Sequence, residues 1–72
     1  MKRFDSAALF KAIDDQRCSR DMTWNAVAAE IGVSVSTIKR TRQGGRMEVD
    51  GMLAMVGWLS VPVEHFVREV GW

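Results

Sequence analysis

The sequence predicts an all-α fold of five helices in a single domain. Apolar residues recur at helical spacing in several segments, and period-2 alternation is absent over any useful length. Capping and turn residues interrupt the chain at short intervals, so the loops are short and every element can pack around one core. The chain has 72 residues, which is the size of one domain. It contains no internal repeat and no low-complexity segment.

The first helix is expected over about residues 5–16, with Ala7, Phe10 and Ile13 as its apolar stripe and Leu9 flanking it. Residues 23–44 then read as two short helices, about 24–31 and 35–43, joined by a tight turn. The hydroxyl of Thr23 is placed to cap the first of these, because it can accept a free backbone N–H. Val27, Ala28 and Ile31 fall on one face, and Ala28 is small where two helices must approach closely. Gly32 stands where the chain leaves the helix, and a left-handed conformation costs glycine little. Val33 can plug the turn and Ser34 can cap the second helix. Ile38 should point back toward Val27 and Ile31, with Thr41 bordering the same face, and Gly44-Gly45 ends the helix.

A fourth helix is expected over about residues 50–59. Asp50 suits its N-terminal turn, and Leu53, Val56 and Leu59 form its core face with Met52 or Met55 alongside. Pro62 suits the first turn of a fifth helix over about 62–69 that buries Phe66.

Composition narrows the function classes. A chain this small buries only about 60–65% of its unfolded surface, so its stability is modest. Hydrophobic residues make up 47%, enough for a core without a metal. The single Cys18 excludes an intramolecular disulfide, and no Cys/His cluster has zinc-ligand spacing. No apolar run resembles a signal peptide or approaches the ~20 residues of a membrane span. A cytoplasmic location is therefore expected, with no membrane, metal or cofactor. No nucleophile–base pair, metal set or phosphate loop is present, so the chain is not expected to be an enzyme.

The net charge is only +1, but its distribution is uneven. Between Ile31 and Met47 lie Lys39, Arg40, Arg42 and Arg46 and no acid; from Glu48 to Trp72 four acids face one base, Arg68. A basic patch on a short helix that begins with small polar residues is the electrostatic footprint of a major-groove DNA reader.

The order Val27-Ala28, Ile31-Gly32-Val33-Ser34, Ser36-Thr37-Ile38, then Gly44 resembles the Cro/phage-repressor-like (XRE) helix-turn-helix family. The later stretch Leu53, Val56, Trp58-Leu59, Val61-Pro62 and Phe66 looks like that family's fourth and fifth helices. Together these cover about residues 5–69. Thr23-Trp24 before Val27-Ala28, with Trp58-Leu59 later, resembles a subgroup of small members. Two positions depart from the common pattern: Trp24 stands where many members have a phosphate-contacting Gln, and Thr41 where many have Leu or Ile. The loop at residues 17–21 also looks a few residues longer than is common.

The resemblance implies a five-helix lambda-repressor-like DNA-binding domain whose second motif helix inserts its N-terminal part into the major groove. Position by position, Val35, Ser36, Lys39 and Arg40 would then face base edges. A guanidinium can bond guanine O6 and N7 together, which makes Arg40 the leading base reader. Lys39 has two roles open, a base or a phosphate. Val35 would pack on a thymine methyl. Thr23, Trp24, Ser34, Arg42, Gln43 and Arg46 would lie beside phosphates, assisted by free helix N-terminal N–H groups. Each has a plainer reading as well. Thr23 and Ser34 act as caps in any case, Lys39, Arg40 and Arg42 could form a solvated face, and Trp24 could belong to the core edge. His65, Cys18 and the neighbouring Asp14 and Asp15 carry no evident chemistry.

The C-terminal part is more apolar than one small core can hide: Met52, Met55, Trp58, Val61, Val63, Val67, Val70 and Trp72. Such a surplus often marks an interface. Family members commonly dimerise through their last helices, so Trp58, Val63, Val67 and Trp72 are the expected homodimer contacts. The expected function is sequence-specific binding of double-stranded DNA, with repression by operator occlusion. The alternative is a protein-interaction module or antitoxin that uses the apolar C-terminal helices as its partner site.

Overall fold

The computed structural model describes residues 2–44 and 48–69. Four α-helices form the body: α1 (Ser6–Ser19), α2 (Trp24–Ile31), α3 (Val35–Arg40) and α4 (Val49–Leu59). Two 3-10 turns, Thr41–Gln43 and Val63–Phe66, and two short strands, β1 (Lys2–Phe4) and β2 (Val67–Glu69), complete it. The fold is thus mostly helical, as expected, but the described residues form no fifth α-helix and include two strands.

That correction comes with a pairing between the two ends of the chain. Pro62 precedes a single 3-10 turn rather than entering an α-helix, and the chain then extends. β2 pairs antiparallel with β1, with Lys2 opposite Glu69, Arg3 opposite Arg68 and Phe4 opposite Val67. The pairing continues inward, where Asp5 N–H donates to the carbonyl of Phe66 at 2.7 Å. Asp5 then joins strand to helix. One carboxylate oxygen caps α1 by accepting from Ala8 N–H at 2.9 Å, and the other lies 3.4 Å from Arg68 Nε.

α1 runs three residues beyond its expected end, so the loop at 17–21 is no longer than a short connection. Arg17 accounts for the extension. Its guanidinium donates twice to Asp14 Oδ1, at 3.0 and 2.8 Å, and once to the carbonyl of Met22 at 3.0 Å. A cation in the last turn also complements the helix dipole. The core face of α1 is Ser6, Leu9 and Ile13; Ala7 is exposed and Phe10 half-buried, so the expected stripe is rotated.

α2 keeps its expected limits because both ends are fixed locally. Thr23 Oγ1 accepts from Ala26 N–H at 3.1 Å, and Gly32 ends the helix at φ 90°, ψ 29°. After the turn at residues 32–34, Ser34 Oγ accepts from Thr37 N–H at 3.1 Å and begins α3. α3 ends at Arg40, earlier than expected, and tightens into the 3-10 turn. There the buried Thr41 hydroxyl donates to the Ile38 carbonyl at 2.7 Å.

Leu9, Ile13, Val27, Ala28, Ile38, Met55, Val56 and Phe66 make up the core. α4 contributes Met55 and Val56, whereas Leu53 is 51% exposed and Leu59 only half-buried. The expected core face of α4 is therefore corrected by a rotation that brings Met55 in and turns Leu53 out. No helix among the described residues is long and apolar enough to cross a membrane.

Candidate functional site

The caps at Thr23 and Ser34 and the left-handed Gly32 fix α3 against α2, and Ile38 anchors it from below. The outward side of α3 is then Ser36, Lys39 and Arg40, all exposed; Val35 is half-buried against the core, so only part of its side chain faces outward. Ser36 and Arg40 lie one turn apart on one edge. Lys39 lies on the next edge, toward the 3-10 turn.

On that second edge the molecule has a groove of about 360 Å³, lined by Phe10, Trp24, Lys39, Arg42 and Gln43. Four of these five are residues that the sequence places beside DNA. They come from separate elements: Trp24 opens α2, Lys39 belongs to α3, and Arg42 and Gln43 to the 3-10 turn. Phe10, from α1, is the member that the sequence reading assigned to the core instead. Only a long-range contact reveals it: Phe10 and Trp24 stack with centroids 5.3 Å apart and planes inclined by 16°.

Cations cover both ends of this aromatic pair. The Arg17 guanidinium lies 4.7 Å from the Trp24 ring and that of Arg42 lies 5.9 Å from the Phe10 ring. Both separations suit a cation–π attraction. The hydrogen bond to Asp14 holds the Arg17 proton more firmly still. Trp24 is therefore half-buried in a packed stack, and its indole N–H, with no acceptor among the described residues, reaches solvent.

Ion pairing sorts the surface cations into two groups. Lys11, Arg17, Arg20 and Arg68 each lie within ion-pair distance of a carboxylate. Lys39, Arg40 and Arg42 have no such partner among the described residues, and neither have Lys2 and Arg3 of β1. Thr23 and Ser34 spend their oxygens on caps, Ser34 also sharing a 2.8 Å hydrogen bond with Thr37 Oγ1. Arg46, expected beside a phosphate, lies outside the described residues. No group of three or more His, Cys, Asp or Glu among the described residues could hold a metal ion.

Of the residues expected at a dimer contact, Trp58, Val63 and Val67 are each half-buried. Trp58 is half-buried, and its indole N–H donates to Glu30 Oε1 at 2.9 Å. Arg20 donates to both oxygens of Glu30 at 3.3 and 3.4 Å and lies 5.7 Å from the Trp58 ring. The Trp58 hydrogen bond, with the charge of Arg20 behind it, holds the Glu30 carboxyl below its ordinary range. Val63 packs half-buried against the core, Val67 pairs with Phe4, and Trp72 lies outside the described residues. Among the described residues, the large apolar side chains left most exposed are Val49 and Leu53 on α4, at 63% and 51%.

Compared with known proteins, the chain matches no family model, no curated protein and no solved structure.

Proposed function

We propose that this chain is a sequence-specific double-stranded-DNA-binding transcriptional regulator of the Cro/phage-repressor-like (XRE) helix-turn-helix type. α3 lies in the major groove, and the protein represses by occluding its operator. One observation carries the reading: among the described residues, Lys39, Arg40 and Arg42 stand together on α3 and its 3-10 extension without carboxylate partners, whereas Lys11, Arg17, Arg20 and Arg68 are paired. Unpaired surface cations can take up phosphates and base edges without breaking an existing ion pair, and the release of counterions then drives association.

In this reading Arg40 presents its planar fork to guanine, with Ser36 one turn before it. A second copy, docked through the C-terminal part, places its own α3 about 34 Å away on the next major groove. Binding of the wild-type protein and Arg40→Ala to an enriched duplex, followed by fluorescence anisotropy, tests this. Arg40→Ala should lose about 1–3 kcal/mol of discrimination at one base position per half-site. An unchanged base preference removes Arg40 as the reader.

A protein-interaction module is the second reading, and the exposed Val49 and Leu53 at i and i+4 favour it. Under that reading Arg40→Ala leaves the main activity intact, whereas Leu53→Lys abolishes it.

A further inference from the structure

Lys39 and Arg40 are neighbours in sequence, but they stand on different edges of α3. We infer that Lys39 grips the DNA backbone rather than a base. The groove it shares with Trp24, Arg42 and Gln43 seats one phosphodiester of the duplex, and base reading on α3 falls to Arg40 and Ser36. The inference rests on the DNA-binding reading above and divides the labour within it.

Three features of the groove support a phosphodiester. Its charged walls are all cationic: Lys39 and Arg42 line it, and no carboxylate does. One of its donors, Arg42, is held in place in advance. The Arg42 guanidinium lies over the ring of Phe10, Phe10 stacks on Trp24, and the Arg17 guanidinium lies over the Trp24 ring. Arg17 is itself tied to Asp14 and to the Met22 carbonyl. Side chains already ordered lose less entropy when they bind. The third feature is the mixed wall: Phe10 and Trp24 offer apolar surface to a deoxyribose beside the polar groups of Lys39, Arg42 and Gln43.

The chemistry of the two side chains agrees with this division. A lysine ammonium is a compact point charge and suits a phosphate from any direction. The arginine fork suits the paired acceptors of guanine. Arg40 does not line the groove, so its guanidinium is not drawn toward the backbone there.

The test compares wild type, Lys39→Ala and Arg40→Ala on a randomised duplex pool and across a salt series. Duplexes carrying one neutral methylphosphonate at each backbone position in turn complete it. Lys39→Ala should weaken binding roughly tenfold on all sequences alike. Its base preference should match wild type, and its salt slope should fall by about 1 per half-site. At one backbone position per half-site, the methylphosphonate should weaken wild type and Arg40→Ala alike but weaken Lys39→Ala clearly less, through the donors that remain there. The inference is overturned if Lys39→Ala alters the preferred base at one position, or if every methylphosphonate weakens Lys39→Ala as much as wild type. A wild-type protein without sequence-selective duplex binding overturns the DNA-binding reading itself, and this inference with it.

Discussion

Two glycines allow one substitution to be read with opposite signs. Gly32 and Gly57 both have open space around them: a Cβ added at either would meet nothing within 4 Å. Packing therefore contributes little in either case, and backbone conformation decides the outcome. Gly32 ends α2 at φ 90°, where a side chain costs about 1–2 kcal/mol. Replacing glycine also restricts the unfolded chain, which returns about 0.4–1 kcal/mol. Gly32→Ala should then destabilise by about 0–1.6 kcal/mol, centred near 0.8, the difference of the two. Gly57 lies inside α4, where alanine is the better residue by about 0.5–1 kcal/mol. Thermal unfolding followed by circular dichroism reads both variants. In a domain of this size 1 kcal/mol moves Tm by about 4–8 °C, so Gly32→Ala should melt several degrees below wild type and Gly57→Ala several degrees above it. If both shift in the same direction, the turn does not depend on a left-handed residue, and the basis for placing α3 fails.

Three further outcomes follow from the structure. Ile38 is fully buried beneath α3, so Ile38→Ala should cost about 2–5 kcal/mol of a total near 4–10 kcal/mol; urea unfolding should show a lower midpoint at unchanged slope. The Glu30 carboxyl is held below its ordinary range in the folded chain. Its contribution is therefore complete above the unfolded value and is lost as pH falls through the folded one. Glu30→Gln should flatten that part of the acid limb in a pH series of melting temperatures, and an identical limb in both proteins rejects the link between Trp58, Glu30 and Arg20. Elution volume at two concentrations should shift toward a dimer at the higher one; a strict monomer at high concentration removes self-association from the account.

What was legible in the sequence had local causes. The limits of α2 follow from a hydroxyl at Thr23 and a glycine at Gly32, each acting within a turn of its own position. α3 begins where Ser34 can cap it. The misplacements arise where the sequence offered several equivalent choices or where the determinant is distant. α4 is apolar on nearly every side, with Val49, Met52, Leu53, Ala54, Met55, Val56, Trp58 and Leu59, so hydrophobicity alone could not choose its buried face. The strands are three residues each and pair the two ends of the chain, a contact that no local periodicity announces. Phe10 has the spacing of a core residue, and its place in the groove depends on Trp24, fourteen positions later. Most of the candidate site was visible as a set of donors at residues 24–43, but its division into two edges required the backbone.

Selection from a randomised duplex pool, with the enriched site then bound across a salt series, tests the central claim most directly. The account predicts a palindromic motif with half-sites about one helical turn apart, and affinity that falls with salt at a slope near −0.9 for each phosphate neutralised. Absent or sequence-blind binding at low salt would contradict it, and would turn attention from the basic edge of α3 to the exposed apolar side of α4.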